Sequence, residues 1–154
     1  MAVKIPSDQI QNLQQIEAAV DGPDDANRLF IINGQINVEL GVSSPETDAY
    51  TEKKEIFAVL IGPKFTSRQF IKANATASLA KMYSRGAGVE GNTFTDYLGI
   101  LDVDADWDDE SGQVELRIEA QVACKGLNQA VGINGFAFTV TILAAVRRAT
   151  PARA

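Results

Sequence analysis

The chain has no histidine and a single cysteine among its 154 residues. Without an imidazole it lacks the commonest general base, the commonest metal ligand and every serine or cysteine triad built on one. The lone thiol, Cys124, cannot close an internal disulfide, and the opening MAVKIPSDQIQ has no basic stretch leading into an apolar one. Both features point to a cytoplasmic protein.

Positive charge is also short. Lys and Arg number 14 against 20 Asp and Glu, a net charge of −6. That field repels phosphate backbones, and the only basic concentration is the terminal Arg147, Arg148 and Arg153, so no nucleic-acid partner is expected. The longest charge-free stretch, Gly126 to Val146, is about as long as a bilayer span, but Asn128, Gln129, Asn134, Thr139 and Thr141 make it too polar to be one. No membrane association is expected.

What remains is ordinary globular material, 45% apolar and 22% charged, in a length suited to one domain. Pro6-Ser7-Asp8 reads as a helix start, with Ile10, Leu13, Ile16, Ala19 and Val20 at helical spacing and Gly22-Pro23 as the stop. Residues 1–22 are therefore expected to be a helical lead-in, with one apolar stripe that needs covering.

Beyond the turn-rich Asp21 to Asp25 the period changes to two. Leu29 to Ile32 and Ile36 to Leu40 read as strand on either side of Asn33-Gly34, a hairpin turn or a bulge. Ser43 to Thr51, with Pro45, reads as a loop, and Ile56 to Ile61, apolar on both faces, as a central strand. Ser67 to Ser84 admits two readings. Ile71, Ala75, Leu79 and Met82 fit a helix face, yet Ile71 to Leu79 alternates strictly between apolar and polar residues, which favours strand.

The final third alternates clearly. Leu101, Val103, Ala105 and Trp107 interleave with Asp102, Asp104 and Asp106; Asp108 to Gly112 turns the chain; Val114 to Val122 alternates back. Placing Trp107 opposite Val114 sets Asp106 across from Glu115, Asp104 from Arg117 and Asp102 from Glu119. The last strand, Asn134 to Val146, has Phe136, Phe138, Val140, Ile142 and Ala144 on one face and no charge on either. Such a strand should be interior to a sheet, covered by the lead-in helix or buried in an oligomer.

The expected fold is thus mainly β: an antiparallel β-sandwich of about six strands over 27–147, preceded by one N-terminal α-helix and followed by a flexible tail over 148–154. An α+β arrangement replaces it if 67–84 is a second helix.

Three motifs carry possible chemistry. Gly86 to Gly91 spells GxGxxG, but β-prone Asn92-Thr93-Phe94-Thr95 follows where a dinucleotide site needs a helix, so it reads as a loop. Cys124 shares the inward register of Val122 and Ala120 and reads as an inert buried thiol.

The acidic hairpin of 102–119 is the third. Asp102 and Asp106 stand too far apart on one strand to share an ion, whereas Asp106, Asp108, Asp109 and Glu115 could converge on calcium at the turn. The run lacks the EF-hand glycine, and Gln113 stands where the closing glutamate belongs. A solvated strand face is the simpler reading.

By elimination, the sequence points to a non-catalytic structural or protein-interaction module without a cofactor, partnered by itself as a homo-oligomer or by another protein. The alternative is a binding protein for a divalent cation or small ligand through the acidic hairpin.

Overall fold

The computed structural model describes residues 1–20, 27–45, 50–86 and 95–146. Eight strands form two four-stranded sheets: β1 (Val3–Ile5), β2 (Gln11–Ala19), β3 (Asn27–Ser44), β4 (Tyr50–Ile61), β5 (Phe70–Arg85), β6 (Thr95–Trp107), β7 (Val114–Lys125) and β8 (Gln129–Ala145). The first sheet runs β1-β4-β7-β6 and the second β2-β3-β8-β5, with β1 and β4 parallel and every other pair antiparallel. Among the described residues no helix is long and apolar enough to cross a membrane.

Period-two patterning builds the core between the sheets. Leu116, Ile118, Ala120 and Val122 of β7 face Phe136, Val140 and Ile142 of β8, and all are fully buried. β8 is interior to its sheet, bonded to β3 on one side and β5 on the other, so its uncharged length is not left as a free edge. Ser67 to Ser84 resolves as strand: β5 alternates half-buried Ala73, Ala75, Ala77 and Leu79 with exposed neighbours.

The N-terminal helix is not present. Pro6 and the Ser7-Asp8 signal nucleate only a single 3-10 turn, Ser7–Gln9, after which Ile10 is extended and the chain becomes β2. The apolar residues at helical spacing were too few to hold a helix without a surface to cover the stripe. β3 offered instead a row of unpaired backbone groups, and pairing Gln14–Ala19 with Arg28–Asn33 satisfies both strands.

Two other expectations are corrected in detail. Leu29 to Ile32 and Ile36 to Leu40 are one continuous strand, and the bulge lies between Asn37 and Leu40 rather than at Asn33-Gly34. Gly34 is required for packing: a Cβ there would sit 2.8 Å from both Ile10 Cγ2 and Phe138 Cζ. Among the described residues there are eight strands instead of about six, because β2 and the short β1 were hidden in the supposed helix. The turn at Asp21 to Asp25, most of the GxGxxG loop, and the tail from Arg147 onward lie outside the described residues.

Candidate interaction surface

The two outward faces of the sandwich differ in kind. On the first sheet, Asp102, Asp104 and Asp106 of β6 lie opposite Glu119, Arg117 and Glu115 of β7, the register the alternation predicts. Arg117 turns its guanidinium toward Glu115, two residues along its own strand, at 3.8 Å. This face is acidic and solvated.

On the second sheet, β2, β3, β8 and β5 run side by side with Ile16 next to Ile31, Thr141 and Asn74, and Ala18 next to Leu29, Leu143 and Lys72. Paired residues share a face, so these side chains form one outward surface. Ile16 is exposed, and Leu29, Ile31, Thr141 and Leu143 are half-buried. Where the four strands overlap, Lys72 is its only charge. Sequence reasoning saw the uncharged face of β8 but could not see that the outer faces of β3 and β2 extend it.

The four sheet edges are protected unequally. β6 carries alternating aspartates; β5 has three register irregularities and the lysines Lys72 and Lys81; β1 is three residues long. β2 is nine residues long, exposed throughout, with Glu17 as its one charge, and its irregularity is confined to the start, where Asn12 has φ of 53°. Charge, kinks and shortness are the usual defences of a free edge, and from Gln14 to Ala19 β2 has almost none.

The acidic turn is occupied by its own bonds. Asp108 Oδ2 accepts from the Ser111 hydroxyl (2.6 Å) and the Ser111 amide (3.0 Å), and these bonds, with Lys4 nearby, hold its carboxyl below the usual aspartate range. Asp106 Oδ1 accepts from the Trp107 amide at 2.8 Å. Asp108 and Glu115 share the wall of a cavity of about 400 Å³ with Lys4 and Glu110, to which Asp106 and Asp109 do not contribute. Among the described residues no three carboxylate or thiol groups gather as a metal site.

A larger groove of about 830 Å³ runs beside β1, β3 and β4, lined by Lys4, Lys53 and Lys81 together with Glu39 and Glu55. Its charges are mixed, and Lys81 Nζ donates to Asn37 Oδ1 at 3.3 Å.

Sequence reasoning missed one buried polar cluster. Gln129, fully buried at the start of β8, donates through Nε2 to both carboxylate oxygens of Asp96 at 2.8 Å and to Ser84 Oγ at 3.0 Å. The Ser84 hydroxyl donates to Asp96 in turn. Cys124 Sγ points at the Gln129 carbonyl at 3.5 Å; burial, and secondarily the charge of Asp96, pushes its thiol pKa up. A glutamine in a loop-to-strand junction gives no signal of such burial.

No protein-family model, curated protein or solved structure matches the chain.

Proposed function

We propose that the protein is a non-catalytic structural or protein-interaction module that self-associates through the second sheet. The contrast between the outer faces carries this reading. One face is crowded with carboxylates, while the other exposes Ile16, Leu29, Ile31 and Leu143 among hydroxyl and amide side chains with one charge where its four strands overlap. An apolar surface nearly free of charge, continuous with a sparsely defended strand edge, favours a partner over solvent.

The test is mass in solution. Light scattering over rising concentration should give multiples of the 16.5 kDa chain, and Ile16→Glu, at the edge of that surface, should shift the equilibrium toward the monomer. A strict monomer at every concentration sinks the reading.

A further inference from the structure

We infer that the partner is a second copy of this chain, joined edge to edge by antiparallel pairing of β2 with its counterpart about a two-fold axis through Ile16. The inference rests on the self-association proposed above and specifies its geometry.

The edges themselves exclude the alternatives. Pairing β6 with a second β6 would bring aspartate rows together, β5 is interrupted at three registers, and β1 is too short to add a strand. β2 is left, regular from Gln14 to Ala19 once the irregularity between Gln11 and Gln14 is passed. Its exposed Leu13 (54%) and Ile16 (59%) are apolar surface that such pairing covers.

Symmetry and charge then fix the register. A two-fold antiparallel pair keeps side chains on matching faces only if each residue meets one an even number of positions away. Centring on Glu17 would set it against its own copy. Centring on Ile16 keeps the pairing inside the regular stretch: Gln14 meets Ala18, and Gln15 meets Glu17, whose carboxylate accepts from the glutamine amide, while Leu13 falls toward Ala19 at the irregular end. Two four-stranded sheets become one of eight strands, and the patches around Ile31 and Leu29 adjoin across the seam.

The experiment combines cysteine cross-linking with light scattering of the full chain. In this register the two Ile16 positions face each other at a Cα separation of about 4.5–5.5 Å, within disulfide reach. Buried Cys124 supplies no competing thiol. Mild oxidation of Ile16→Cys should give a covalent dimer in high yield, and Leu13→Cys, which faces Ala19 of the other copy, should give little.

Gln15→Lys, placing an ammonium beside Glu17 twice per dimer, should tighten association several-fold. Gln15→Glu should weaken it by about tenfold or more. Both substitutions are on an exposed strand, and an unchanged circular dichroism spectrum verifies folding. A dimer abolished by Leu143→Glu yet indifferent to the Gln15 variants, and not cross-linked through Ile16→Cys, overturns edge pairing while leaving self-association standing. A monomeric wild type overturns both.

Discussion

Phe57 on β4 and Phe136 on β8 meet between the sheets, their ring centroids 5.7 Å apart and tilted by 54°. Both are buried, Phe136 completely, so this contact is one of the fastenings between the layers. Phe136→Ala should cost about 3–5 kcal/mol in denaturant unfolding, with Phe136→Leu much milder. Equal, small losses for both would show that the sheets do not depend on this pair.

Tyr83 lies flat over Gly132 and Gly41 on the outer surface, with Arg85 4.9 Å above its ring. A Cβ at Gly132 would come within 2.6 Å of Tyr83 Oη. Gly132→Ala should destabilise by about 1–3 kcal/mol by lifting the ring away. The same change in a Tyr83→Ala background should cost distinctly less, and a double-mutant cycle of unfolding energies measures the difference.

The Asp108–Ser111 turn gives a pH signature. Because the bonds from Ser111 depress the folded-state pKa of Asp108, its stabilising effect is present above the unfolded value, near 3.8, and is lost as pH falls through the lower folded value. Asp108→Asn should lower the melting temperature by a few degrees at pH 7. The gap to wild type should narrow as pH falls below 4, and a gap of unchanged size from pH 7 down to pH 2 would refute the linkage.

Gln129→Glu would set a second carboxylate against Asp96 in a fully buried position. The loss of stability should be on the order of 3 kcal/mol at pH 7, because the new charge is desolvated and opposed. It should shrink at pH 5, where the introduced, desolvated carboxyl can hold a proton. Thermal melts at the two pH values provide the measurement, and a pH-independent loss would mean that shape, not charge, explains the glutamine.

Much of the fold could be read from alternation. The hairpin of β6 and β7 has the predicted register because Trp107, Val114 and the aspartates leave one way to put apolar residues inside; a one-residue slip would turn every carboxylate into the core. β5 and β8 were legible for the same reason.

β2 was not, since Leu13, Ile16 and Ala19 keep a helical spacing, and what decides the conformation is the vacant side of β3, whose paired residues lie nine to twenty-four positions onward in the chain. The outer surface was half legible. The uncharged face of β8 was plain, but its neighbours follow from strand order, which local patterning does not encode. No local pattern marked Ser111 as the partner that engages Asp108 within the turn.

The central position of β8 has a consequence for how the protein is made. β3 and β5 both bond along its length, with Asn27 opposite Ala145 and Phe70 opposite Ala144. On the ribosome, therefore, the second sheet has no centre until the last of its strands emerges, and early segments wait with unsatisfied backbones. Pairing across such sequence distances is slow, on the order of milliseconds to seconds once the strand is available. Until β8 arrives, β3 and β5 have no common partner to hold them in one sheet.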